Sequence, residues 1–317
     1  MRPTRRTVLA IGCLQAALSL SYSHPAQALE EVIVSYAGPT VTFLPAEVAR
    51  QRGFLREQNL DIKLLLTRSE VDRAALASGN VDYTLRAGSS FVSAARGLPV
   101  RIVFLGTMRP FWGLVVRPET KSVSELKGKS VGVPGLLGSQ QISAKFILKH
   151  YGLDPDKDVV YRVVDTGTRI AAILSGSIDS SMMDYGEAFR AKKVSLKLLV
   201  NAADLHGLLA GGLAVNLKKL KEQPDQIRRM LKAMTQALKY MQDNPEGTQQ
   251  VMMNWLKLDR EMAAEIYQMA KNNYTKNGMV DESTLNSLVT TMLAEAGIKN
   301  VNVSQLVDFS LLQQALK

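Results

Sequence analysis

Three short segments carry the side chains best suited to gripping a small anion. Arg86 stands directly before Ala87-Gly88-Ser89-Ser90, where a strand-like run gives way to a helix-like one. Gly138-Ser139-Gln140 opens a second helical run, Ile142 to His150, and Asp184-Tyr185 closes a third apolar run. A helix start presents unpaired backbone N–H groups and a partial positive charge, and a neighbouring glycine lets a ligand come close. An arginine there can hold a carboxylate or sulfonate through two parallel hydrogen bonds. The serines have a plainer alternative, capping their own helices. Covalent chemistry has few parts by comparison: there is one cysteine, Cys13, and three histidines, of which His150 and His206 stand far apart in the chain. No disulfide framework, metal site or cofactor is expected.

These residues need a frame. From Glu31 to about Ile102, β-rich runs alternate with helix-period runs: strands at 32–36, 61–66 and 81–85, and helical segments at 46–57, broken at Gly53, and at 71–77. Such alternation predicts parallel strands joined by helical crossovers, with ligands beyond the carboxyl ends of the strands. The pattern then repeats. Ala74-Ala75-Leu76-Ala77-Ser78-Gly79-Asn80-Val81-Asp82 is echoed 97 positions later by Ala171-Ala172-Ile173-Leu174-Ser175-Gly176-Ser177-Ile178-Asp179. Val34 to Gly38 matches Val131 to Gly135 at the same offset. Two similar α/β lobes follow, lobe I over 29–115 plus 212–317 and lobe II over 118–210.

Phe111-Trp112-Gly113-Leu114-Val115-Val116 and the later run Leu208 to Val215 are read as the outbound and returning segments of a two-strand hinge. Trp112 is placed to wall the cleft or to pack the hinge. The remainder is helical: Ile227, Met230, Leu231, Met234, Leu238 and Met241 recur at helical spacing up to Asn244-Pro245. Helices are expected over 246–256, 260–272, 282–296 and 304–316, capped by Asp259, Asp281 and Ser304, with the methionines as core.

The chain has 317 residues and a net charge of +10. Its first 28 residues join Arg2, Arg5 and Arg6 to an apolar run, Val8 to Leu20, and an Ala26-Gln27-Ala28 site, the three parts of an export signal. Cleavage after Ala28 is expected. Thr4-Arg5-Arg6-Thr7-Val8-Leu9 resembles a twin-arginine signal, and the general secretory route is equally open. The remaining chain holds 36 basic and 29 acidic side chains and no cysteine. A periplasmic protein is expected. Its basic residues are scattered and form no nucleic-acid module, so no nucleic-acid partner is expected.

Leu44-Pro45-Ala46-Glu47-Val48-Ala49 with Gly53-Phe54-Leu55, then Ser124 to Val133, then Gln223-Pro224-Asp225 with Asn244-Pro245-Glu246, resemble in order and spacing the nitrate/sulfonate/taurine type of ABC-transporter solute-binding protein. That group includes binders of thiamine precursors. The resemblance covers nearly the whole chain after residue 28. It implies an α/β, two-lobed type II periplasmic-binding fold with C-terminal helices, a small anionic ligand between the lobes, a membrane permease as partner, and a monomer. It also makes Thr40 and Thr42, in the loop after Gly38, candidate contacts. Thr166-Gly167-Thr168-Arg169 is the second-lobe counterpart of Thr67-Arg68-Ser69-Glu70; Thr168 is a candidate contact and Arg169 is expected on a solvated helix turn. Arg86 has a second open role, a salt bridge across the lobes to Asp184 or Glu187, while Tyr185 is placed to stack on or bond to a ligand. Two alternatives share the fold. One is an enzyme of cofactor-precursor metabolism, against which the missing cysteine motif of the fungal pyrimidine synthases speaks. The other is a ligand-sensing partner of a membrane receptor.

Overall fold

The computed structural model describes residues 28–317, so the expected export signal, apart from Ala28, lies outside the described residues. Ten strands follow in chain order: β1 (Glu30–Tyr36), β2 (Leu60–Leu66), β3 (Tyr83–Thr84), β4 (Val100–Leu105), β5 (Trp112–Val116), β6 (Lys129–Val133), β7 (Val159–Val163), β8 (Ser180–Asp184), β9 (Lys197–Asn201) and β10 (Gly212–Asn216). They form two five-stranded sheets, ordered β2-β1-β3-β10-β4 and β7-β6-β8-β5-β9. In each sheet the first three strands of the repeat are parallel, and one antiparallel strand comes from beyond the crossover: β10 beside β3, β5 beside β8. Each sheet with its helices forms one lobe of a two-lobed α/β protein.

The 97-residue echo has a structural basis. Asp82 Oδ2 accepts from the Ile33 amide at 2.8 Å, and Asp179 Oδ2 accepts from the Ser130 amide at 2.9 Å. Each aspartate thus ties the entry of its lobe's third strand to the first. The preceding glycines, Gly79 and Gly176, turn their helices off with φ of +83° and +82°, a region that side chains with a Cβ avoid.

The chain crosses between the sheets twice, before Trp112 and before Gly212. The first crossing is earlier than the sequence reading put it: residues 112–116 pair with β8 and β9 and belong wholly to the second sheet. Of the C-terminal helices, Pro224–Asp243 carries the predicted apolar stripe, with Ile227, Met230, Leu231, Met234, Leu238 and Met241 buried. Asp259 and Asp281 cap the helices Arg260–Ala270 and Glu282–Glu295 as expected. The helix expected over 304–316 is instead a short turn capped by Asn302 and a separate helix, Ser310–Ala315. No helix among the described residues is long and apolar enough to cross a membrane.

Candidate functional site

Strand carboxyl ends from both sheets face one another, and between them lies an inner chamber of about 70 Å³. Thr40, Thr42, Arg86 and Ser89 of the first lobe line it, with Trp112, Gly138, Ser139 and Gln140 of the second. Sequence reasoning had singled out all eight. The structure adds Ser69 and Thr166, with Ala37, Phe43, Pro134, Gly135 and Ala210. An outer chamber of about 330 Å³ adjoins it past Ala37, Arg86, Pro134 and Thr166 and is bounded by Leu66, Thr67, Arg68 and Asp165.

Arg86 follows β3 and immediately precedes the helix Ala87–Ala95. Its guanidinium is held within its own lobe: Nη1 donates to Ser69 Oγ at 3.1 Å, and Nη2 donates to the Thr67 carbonyl. Asp72 Oδ1 stands 4.0 Å from Nε, already accepting from Ser35 Oγ at 2.5 Å and Thr84 Oγ1 at 2.9 Å. The alternative role, a salt bridge to Asp184 or Glu187, is not formed. Arg86 Nε is buried without a partner. Burial pulls the guanidinium below its ordinary pKa, opposed by the Asp72 charge.

Two further buried polar atoms on the chamber wall have no partner, Trp112 Nε1 and Thr40 Oγ1. Trp112 opens β5 and is 3 % exposed. A buried indole N–H or guanidinium N–H can only donate. Three unpaired polar atoms at one chamber are what a ligand rich in acceptors would satisfy, since burying them unpaired is costly.

The other predicted contacts fall elsewhere. Gly88 donates its N–H to the Ala210 carbonyl at 2.9 Å, which removes that amide from any ligand. A Cβ at Gly88 would stand 2.1 Å from Ser139 Oγ and 2.8 Å from Leu209 O, so the glycine allows the two lobes to meet. Ser90 Oγ donates to the Arg86 carbonyl at 3.0 Å and faces its own helix, while Gly38, at φ +127°, only turns the chain after β1. Thr168 is exposed, with its hydroxyl on the Asp165 carbonyl at 2.8 Å. Asp184 caps the helix Tyr185–Lys193 through the Glu187 amide at 3.1 Å and lies off the chamber wall. Its burial, with Glu187 nearby, pushes its carboxyl up to about 7. Tyr185 is fully buried, and its hydroxyl donates to Asn201 Oδ1 at 2.9 Å, leaving neither ring face nor oxygen for the chamber.

Arg169 also departs from expectation. It is completely buried at the start of the helix Arg169–Leu174 and pairs with Glu187. Nη1 donates to Gln140 Oε1 at 2.7 Å, and Nη2 donates to Thr166 Oγ1 at 3.1 Å. Ser69 and Thr166 were missed as wall residues, yet a signal existed: they stand 97 apart, each just beyond the second strand of its lobe, where the strand-end rule applies as it does to Arg86.

Two facing α/β lobes joined by two crossings, with the cleft at the strand ends, define the periplasmic-binding-protein fold. The chain belongs to the NMT1/THI5-like family, whose model matches residues 40–248. It is 30% identical over 227 residues to the 4-amino-5-hydroxymethyl-2-methylpyrimidine phosphate synthase THI13 of Saccharomyces cerevisiae. That match spans 65% of this chain and 65% of the yeast protein. The alkanesulfonate-binding protein SsuA of Xanthomonas axonopodis pv. citri, bound to MOPS, superposes with a TM-score of 0.70 at 15% identity, over 90% of this chain and 97% of that one. The periplasmic nitrate-binding protein NrtA of Synechocystis also gives 0.70, at 14% identity, covering 90% of this chain and 88% of its own.

Proposed function

We propose that this protein is the extracytoplasmic solute-binding component of an ABC importer and takes a small anion, of sulfonate, carboxylate or nitrate type, between its lobes. The observation that carries this reading is the makeup of the inner chamber. Arg86 and Trp112 line it and each carries a buried N–H without a protein partner, while no carboxylate, imidazole, amine or thiol is among its lining residues. Such a wall can hold an anion but has no group of ordinary acid–base power to transfer a proton. The similarity to alkanesulfonate- and nitrate-binding proteins supports the same ligand class. Export to the periplasm follows from the leader, and the functional unit is a monomer that closes on its solute and docks on a membrane permease.

The yeast synthase relative favours a second reading, an enzyme of pyrimidine-precursor metabolism. One experiment separates the two. Purified protein lacking residues 1–28 is heated with methanesulfonate, nitrate, formate, acetate and a 4-aminopyrimidine, each in excess. Binding of one small anion raises the melting temperature. No shift with any anion removes the importer reading, and a shift with the pyrimidine alone transfers support to the enzyme.

A further inference from the structure

The two lobes carry buried charge pairs at matching places with the signs exchanged. In lobe I an acid, Asp72, stands in the first turn of the helix after β2, and an arginine, Arg86, follows the third strand. In lobe II the residue 97 positions beyond Asp72 is Arg169, in the first turn of the helix after β7, and the acid, Glu187, follows β8. Each lobe therefore directs one buried guanidinium at the cleft wall. Because arginine donates and never accepts, whatever faces it must present an acceptor. Arg169 Nη1 lies 2.7 Å from Gln140 Oε1, which fixes the orientation of that amide and turns its NH2 group away from Arg169. Thr166 Oγ1 likewise accepts from Arg169 Nη2, and Ser69 Oγ from Arg86 Nη1. Each hydroxyl keeps its proton free to donate elsewhere. Ser89 is the exception on the wall: its proton goes to the Arg86 carbonyl at 3.2 Å.

We propose that Arg169 is a positioning residue that locks Gln140 and Thr166 as hydrogen-bond donors toward the cleft, so that the protein selects oxyanions carrying no donor hydrogen. The inference rests on the solute-binding reading and adds a selectivity to it. Glu187 serves the same end, since its Oε1 accepts from the Gly167 amide at 3.0 Å and its other oxygen pairs with Arg169, fixing the loop that carries Thr166.

Methanesulfonate and methylphosphonate test this directly. In mildly acidic buffer both carry one negative charge on similar tetrahedral heads, and only the phosphonate keeps a P–O–H proton. Titration calorimetry on the wild-type protein is expected to show methanesulfonate bound about tenfold or more tightly than methylphosphonate, because the extra proton meets a donor. In Gln140→Glu, one carboxylate oxygen faces Arg169 and the other offers the cleft an acceptor; both affinities fall and the preference narrows or inverts. Arg169→Met with Glu187→Met removes the buried pair together, avoiding a lone buried charge, and releases Gln140 to rotate; the preference falls toward unity. The melting temperature of each unliganded variant reports its folding, and Gln140→Glu carries the test if the double variant does not fold. Equal binding of the two probes by wild type, or an unchanged preference in a folded variant, overturns the role of Arg169 and leaves the solute-binding reading intact. Failure of methanesulfonate, nitrate, formate and acetate alike to bind wild type overturns both.

Discussion

Arg68 and Asp165, 97 positions apart, meet face to face across the two lobes: Arg68 Nε donates to Asp165 Oδ1 at 3.2 Å and Nη2 to Oδ2 at 2.7 Å. Both bound the outer chamber, and each stands just beyond the second strand of its own lobe. Internal repetition has brought equivalent loops together with opposite charges at the mouth of the cleft. Because the pair spans the lobes, any motion that parts them would break it.

The pair should therefore bias closure, modestly, since both side chains are solvated. Arg68→Ala and Asp165→Ala are each expected to weaken anion binding a few-fold, with no further loss in the double variant. The effect should fade in concentrated salt, which screens an exposed pair. Calorimetry at low and high salt on the four proteins checks this; additive losses would mean that the two residues act separately.

Arg86→Ala should weaken anion binding roughly tenfold to a hundredfold, with a moderate fall in the unliganded melting temperature. Asp72 loses its buried counter-charge but keeps its bonds from Ser35 and Thr84, which limits that fall. A charge-assisted hydrogen bond is worth about 1.5–3 kcal/mol, or roughly tenfold to a hundredfold in affinity. Arg86→Lys should not restore binding, because the three N–H groups of an ammonium radiate from one nitrogen and cannot reproduce the planar spread by which the guanidinium holds Ser69 and Thr67 and keeps a separate N–H free. A large fall in apo stability for Arg86→Ala would instead mark the arginine as structural.

Gly88→Ala tests how closely the lobes must approach. Ser139 can swing away from the new methyl group, but the Leu209 carbonyl, 2.8 Å from it, is backbone. Closure should be blocked, with weaker ligand binding and a larger radius in solution scattering. Adding Ser139→Ala should recover only part of the affinity.

Asp184 sets a pH dependence. Its folded-state carboxyl titrates at about 7, above its ordinary value of 3.8, because burial and Glu187 disfavour the charge. The folded protein therefore holds a proton there that the unfolded chain has released. Its contribution to stability is complete below about 4 and is lost as pH rises through about 7. Asp184→Asn keeps an N-cap oxygen for the Glu187 amide and should flatten this part of the melting-temperature profile. An unchanged slope between those limits would assign it to another group.

Much of this molecule was legible in the order of its residues. The Ser-Gly-x-x-Asp echo announced two lobes because one aspartate per lobe must bond the backbone of the first strand, a local demand written into the local sequence. The helix N-caps Asp259 and Asp281, and the apolar stripe from Ile227 to Met241, follow from the same short-range rules. Strand ends pointed to Arg86, Ser89, Ser139 and Gln140 because every crossover turns its helix start toward the cleft.

Tertiary structure decided the partners. Asp184 and Tyr185 sit at a strand end as Arg86 does, yet one caps a helix and the other reaches Asn201. Arg169 reads as an exposed helix residue until Glu187, 18 positions on, is folded beneath it. Which acceptor a guanidinium finds depends on the crossing of distant strands. That crossing left Arg86 beside Asp72 in one lobe and Arg169 on Glu187 in the other, and so set which faces of Ser69, Gln140 and Thr166 the cleft receives.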